Sequence, residues 1–108
     1  MFQANVTSAV ALMDAAEEQI CTNCGSIVLT SSLAATVPAP RAEAYCIAKA
    51  ALECLARNRA LRYAPDGVRV NVIQPGTLDT PAFRRSATAS GRTGEEHREA
   101  LAAKHFVH

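Results

Sequence analysis

SIVLTSS (residues 26–32), YCIAKAAL (45–52) and VRVNVIQPG (68–76) are the segments that decide the fold. The first is a run of β-favouring residues without polar alternation, the pattern of a strand covered on both faces. A loop of small residues and two prolines follows, ending at Pro40. The second segment lies in the longest helical stretch, over 42–63, rich in Ala, Leu and Arg. There Ile47, Ala51 and Leu55 share a face, with Ala48 and Leu52 beside them. Pro65-Asp66-Gly67 supplies turn chemistry, and a second strand over 68–74 runs into Pro75-Gly76. Strand, long helix, tight turn and strand make a βαβ unit, expected to be parallel and right-handed.

Working outward, Phe2, Val6, Val10, Met13 and Ile20 recur near helical spacing, so an amphipathic helix runs from the chain start until Cys21-Thr22-Asn23-Cys24-Gly25 breaks it. No capping residue precedes that helix. Downstream, Thr80-Pro81 reads as an N-cap with proline at the first helical position, opening a short helix that stops near Gly91. Thr93-Gly94-Glu95-Glu96 is a capping box that opens a last helix toward Lys104.

The chain has 108 residues, 49% hydrophobic and 19% charged, with a net charge of +1. That length bounds it to one small domain. The balanced charge gives no footprint for nucleic acid or an anionic membrane. No apolar run approaches the roughly 20 residues of a membrane helix, and the N-terminus does not read as a signal peptide. Four cysteines without a secretory signal point to a reducing cytoplasm. A βαβ unit with extra helices is too little to close a parallel sheet, so the expectation is a partial α/β domain.

Tyr45 and Lys49 stand one helical turn apart on one face. An ammonium beside a phenol favours the phenolate, and such a phenol can exchange a proton with a carbonyl or alcohol oxygen. Alone, Tyr-x-x-x-Lys is a common helix-surface pair. Its neighbours sharpen it. Ser31 and Ser32 end the first strand and Pro75-Gly76 ends the second, and open α/β sheets bind ligands at strand C-termini. Ser32, Tyr45, Lys49 and the Pro75-Gly76 turn should therefore meet at one rim, where a hydroxyl can hold the oxygen that the phenol protonates.

Asn5 in NVTSAV, GSIVLTSSLAA, YCIAKAAL and RVNVIQPGTLDTP, in this order and spacing over residues 2–81, resemble the short-chain dehydrogenase/reductase family. The resemblance implies a Rossmann-like, doubly wound parallel sheet, here an interior slice (helix–strand–helix–strand–helices) without the family's N-terminal βαβαβ half or its last strand. It implies an NAD- or NADP-dependent oxidoreductase that interconverts an alcohol and a ketone or aldehyde. Tyr45 would be the general acid/base, and Lys49 would tune it and hold the nicotinamide ribose. Ser32 would orient the substrate oxygen, and Asn5 would hold a water of a proton relay. Pro75, Gly76, Leu78 and Thr80 would line the nicotinamide side, and residues 77–108 would form a substrate-covering lid within the single 1–108 domain. A small alcohol or carbonyl compound is the implied partner, with homo-oligomers in the complete enzyme.

The sequence departs from the family at several points. Nothing matches its glycine-rich phosphate turn, its Asn-Ala-Gly segment or the residue that separates NAD from NADP, and Ala35 stands where glycine is usual. The truncated chain is therefore expected to be inactive by itself. The alternative is a non-catalytic fragment that associates through its two long helices.

Other residues read more simply. Ser31 is a strand-end hydrogen bonder. Cys21 and Cys24 have metal-ligand spacing, but Cys46 and Cys54 do not complete a zinc ribbon, so no metal is expected. Cys46 and Cys54 are small buried side chains. His97, His105 and His108 are solvent-facing, and Arg57, Arg59 and Arg62 form a solvated helix face or subunit contacts.

Overall fold

β-branched residues build both strands. Ser26–Thr30 (β1) and Arg69–Ile73 (β2) pair in parallel, with Ser26 opposite Arg69 and Thr30 opposite Ile73. Parallel strands need a long crossover, and helix α2, Glu43–Tyr63, supplies it. The expected parallel βαβ unit is present in the computed structural model, which describes residues 1–105. His108 lies outside those residues. The described chain divides into two units, Met1–Pro75 and the segment from Gly76 onward.

In the first unit, helix α1 (Ser8–Thr22) is preceded by a wider turn, Gln3–Thr7. The Ser8 backbone N–H donates to Gln3 O, five residues back. Ser8 Oγ meanwhile donates to Ala4 O at 2.7 Å, the carbonyl that an ordinary α-turn would offer that N–H. Asn5 sits in this widened turn, which packs against α2. At the other end Cys24 takes φ 48°, and Gly25 N donates back to Ile20 O at 2.8 Å. This left-handed closure turns the chain into β1. After α2, a single turn over Ala64–Asp66 ends at Gly67, whose φ of 70° glycine adopts without a Cβ clash.

Met13, Tyr63 and Val68 form the buried centre, with Ile20, Ile27, Leu29, Leu55 and Val70 packed around it. Strand alternation sends Val28 and Ile73 to the opposite face, where they are 58% and 50% exposed. The strand expected to be covered on both faces is thus covered on one, since among the described residues no element packs on the other. The buried face of α2 includes the expected Ala48 and Leu52 and continues through Lys49, Ala56, Arg59 and Tyr63, with Leu55 packed against the core; only Ile47 of the expected face is exposed. At its far end Tyr63 joins Met13 and Val68 in the core.

Arg59 corrects the expectation of a solvated arginine face. It is buried, pairs with Asp14 and Glu17 of α1, and donates to Tyr63 Oη at 2.8 Å. Burial disfavours its charge, but the hydrogen bond to Asp14 and the contact with Tyr63 outweigh that, and the guanidinium pKa rises. Burial likewise pushes the Tyr63 phenol up, against the pull of Arg59. Arg62 stays exposed and reaches Glu17 Oε1 at 2.6 Å. Cys54 is exposed and Cys46 half-buried, so neither is the fully buried thiol that was expected. Cys54 lies on the side of α2 turned from the core, where its Sγ meets the amide of Asn58.

The second unit holds α3 (Pro81–Ala89) and α4 (Gly94–His105). Thr80 Oγ1 accepts from Phe83 N at 3.2 Å, as its N-cap reading requires. Thr93 and Glu96 form the reciprocal capping box, with bonds of 3.2 and 2.8 Å. His97, expected to face solvent, is buried against the Phe83 ring, 5.2 Å between centroids. Its Nδ1 lies 3.3 Å from Ser90 Oγ, whose own proton goes to Ser86 O. A histidine one turn into α4 thus finds an apolar wall on α3 and a polar partner in Ser90, the residue that closes α3. No helix among the described residues is long and apolar enough to cross a membrane.

Candidate active site

The site of the first unit is built where the strands end. Ser31 N donates to Ile73 O at 2.8 Å and Leu33 N donates to Pro75 O at 3.1 Å, which continues the stitching past both strands. This brings the Ser32 segment beside Pro75, at the shared rim expected of parallel strands. Ser32 is extended, and its Oγ accepts from Ala34 N at 3.2 Å. That bond occupies one lone pair and leaves the O–H proton as a donor. The single turn that Ser32 caps, Leu33–Ala35, packs on α2.

Tyr45 lies in the first turn of α2, half-buried, and Lys49 follows one turn later on the buried face. A buried ammonium needs a partner, and Lys49 Nζ donates to Thr30 O, the last carbonyl of β1, at 3.0 Å. The same nitrogen is 5.6 Å from the Tyr45 ring centroid, within cation–π range. One ammonium therefore links the phenol-bearing turn to the strand end. Asn5, half-buried in the widened turn beside α2, donates through Nδ2 to Met1 O at 2.9 Å. Its Oδ1 is left as an acceptor.

Gly76, Leu78 and Thr80 belong to the second unit. Gly76 has open space on its Cβ side, Leu78 is exposed, and Thr80 caps α3. No three metal-ligating side chains cluster among the described residues. One residue escaped the sequence reading. Glu53 Oε1 accepts from Ser31 Oγ at 2.8 Å and from Gln74 Nε2, while Ser31 Oγ also reaches Lys49 O at 3.2 Å. Its position four residues after Lys49, on the same helix face, was the available signal.

A parallel α/β unit with Ser32, Tyr45 and Lys49 near its strand ends is of the Rossmann type. The chain belongs to the short-chain dehydrogenase/reductase family of oxidoreductases: the family model described as enoyl-(acyl carrier protein) reductase matches residues 1–108. It is 39% identical over 64 residues to the 7alpha-hydroxysteroid dehydrogenase of Clostridium sardiniense, covering 59% of this chain and 24% of that protein. A tropinone reductase homolog of Arabidopsis thaliana is 43% identical over 58 residues, 54% of this chain and 22% of the homolog. Among solved structures, NAD+-bound xylitol dehydrogenase is similar with a TM-score of 0.75 and 33% identity, covering 82% of this chain and 35% of that one. The chain spans about a quarter of the length of these two curated relatives.

Proposed function

We propose that this chain forms the catalytic part of a nicotinamide-dependent oxidoreductase that interconverts an alcohol and a ketone or aldehyde. Tyr45 Oη gives its proton to the carbonyl oxygen during reduction and takes it back during oxidation. Ser32 Oγ–H donates to the same oxygen and fixes its position. Lys49 spends one of its three ammonium protons on Thr30 O. Its other two suit the ribose hydroxyls of NAD or NADP. Asn5 Oδ1 holds a water that passes protons on from Lys49.

The donors of the first unit fit the ribose end of the cofactor: Tyr45 and Lys49 would hold the nicotinamide ribose, at the rim where β2 runs out at Pro75. When bound, the nicotinamide would supply or accept the hydride. No residue of this chain matches the family's phosphate-binding turn. The proposed turnover therefore belongs to a protein that also carries that turn, and the isolated chain is inactive. The complete enzyme works in the cytoplasm, as a homo-oligomer.

The observation that carries this reading is the Lys49 ammonium, held at the end of β1 and 5.6 Å from the Tyr45 ring. The test is Tyr45→Phe in protein that turns over a secondary alcohol with NAD or NADP. Turnover should fall by about 10²–10⁴-fold while the circular dichroism spectrum is unchanged. Retained turnover would refute the role of Tyr45.

A second reading is a non-catalytic module that associates through α1 and α2, favoured by Leu12 and Leu61, 71% and 80% exposed on those helices. Turnover by protein that carries this chain together with a phosphate-binding turn separates the two. Its absence, together with a dimer of the isolated chain in sedimentation, favours the second.

A further inference from the structure

Resting on the assignment of Tyr45 and Lys49 as the proton-transfer pair, we infer that Glu53 is the positioning residue that fixes Lys49 against the two strand ends. One carboxylate oxygen, Oε1, accepts from Ser31 Oγ at 2.8 Å and from Gln74 Nε2. Ser31 immediately precedes Ser32, and Gln74 immediately precedes Pro75. A single side chain of α2 thus grips both strands one residue before their proposed site residues.

The grip extends to Lys49 by two routes. Ser31 Oγ, 3% exposed as a residue, also reaches the Lys49 carbonyl at 3.2 Å, and Lys49 Nζ bonds Thr30 O, next to Ser31. Glu53 is one helical turn beyond Lys49, so the contact fixes the rotation of α2 about its axis as well as its height over the sheet. Without an acceptor at Glu53, the Ser31 hydroxyl would keep only the Lys49 carbonyl, already part of the helix ladder, and Gln74 would lose its hold. The strand ends could then drift from the turn that carries the ammonium. An error of about 1 Å at such a point is enough to cost a large share of catalysis.

The experiment reads Lys49 directly and needs no cofactor. Acetylation of the full chain by an activated ester is followed at Lys49 by mass spectrometry, against added N-α-acetyl-lysine. Lys49 of the unaltered chain should react at least tenfold slower than the free amine, a protection on the scale of one charged hydrogen bond. Glu53→Ala should erase most of that protection. Glu53→Gln, which keeps an acceptor oxygen of the same reach, should stay within about twofold of the unaltered chain, since the geometry of the acceptor and not its charge is what is used. Gln74→Ala, an exposed substitution, should give an intermediate rate. Asn58→Ala, which removes a bond on the same helix away from the site, should leave the rate unchanged.

Urea midpoints measured beside the rates separate positioning from general loosening. The inference is overturned if Lys49 in Glu53→Ala keeps its protection, if Glu53→Gln behaves like Glu53→Ala, or if the rates follow the midpoints in every variant. An unprotected Lys49 in the unaltered chain overturns it too. Loss of the catalytic reading would instead show as turnover retained in Tyr45→Phe, with the acetylation pattern intact.

Discussion

Removing the Arg59 side chain tests how the helix that carries Tyr45 and Lys49 is fastened to α1, which follows the turn that carries Asn5. Arg59 is the joint: it meets Asp14 and Glu17 across the α1–α2 interface and Tyr63 within α2. In Arg59→Ala two losses add. The buried aliphatic stem is worth about 1.5–2 kcal/mol at the usual value per unit of apolar area. The ion pairs are worth less than buried pairs, because the Asp14 side chain is 53% exposed and that of Glu17 is 30% exposed. Solvent screening puts them at about 0.5–1 kcal/mol each. Tyr63 Oη keeps Glu17 Oε2 at 3.2 Å, so the buried phenol is not stranded and adds no orphan penalty. The sum is about 3 kcal/mol, a large part of the stability of a small domain.

Arg59→Met keeps most of the stem and should lose only about 1–2 kcal/mol. High salt should narrow that loss, because only its ionic part is screened. Urea unfolding followed by far-ultraviolet circular dichroism measures both variants. Equal losses in the two would refute the division into stem and charge. A loss below about 0.5 kcal/mol in Arg59→Ala would refute the joint altogether.

Thr80→Ala should cost α3 about 1 kcal/mol by freeing the Phe83 amide, read as faster hydrogen exchange at that residue. The backbone N–H and hydroxyl of Thr93 hold the Glu96 carboxyl below its ordinary range. A depressed folded value gives stability that is complete above the unfolded value of about 4.3 and is lost as pH falls through the lower folded value. The first turn of α4 should therefore fray only in acid below about pH 4, and not near neutrality, as amide exchange at Glu96 would report. Gly67→Ala, at φ 70°, should lower the urea midpoint by an amount equivalent to about 1 kcal/mol, whereas Gly94→Ala, at ordinary φ, should not.

The local rules were legible wherever a residue acts on its own neighbourhood. Thr80 before Pro81, the Thr93–Glu96 box and the Pro65-Asp66-Gly67 turn signal structure through bonds to atoms within a few residues. The two β-branched runs and the helix between them likewise imply a parallel pair, since no short connection could join them. Tyr45 and Lys49 were readable for the same reason: helical spacing alone puts them on one face.

What the sequence could not carry is which groups meet across elements. Arg57, Arg59 and Arg62 look alike in a helix, and only the approach of α1 decides that Arg59 is the buried one. His97 reads as a surface histidine until α3 and its closing residue supply Phe83 and Ser90. Periodicity offered Ile47 as core, but the buried face of α2 runs through Ala48, Leu52 and Ala56, and Ile47 is exposed. Glu53 is a plain helix glutamate by composition, and its tie to Ser31 and Gln74 exists only because two strand ends arrive at its oxygen. The sequence by itself determined the elements, their parallel order and the Tyr45–Lys49 pair, because spacing along a chain fixes a face. The tertiary structure decided which charges are buried and what holds the pair at the strand ends, because such contacts depend on distances that no local pattern encodes.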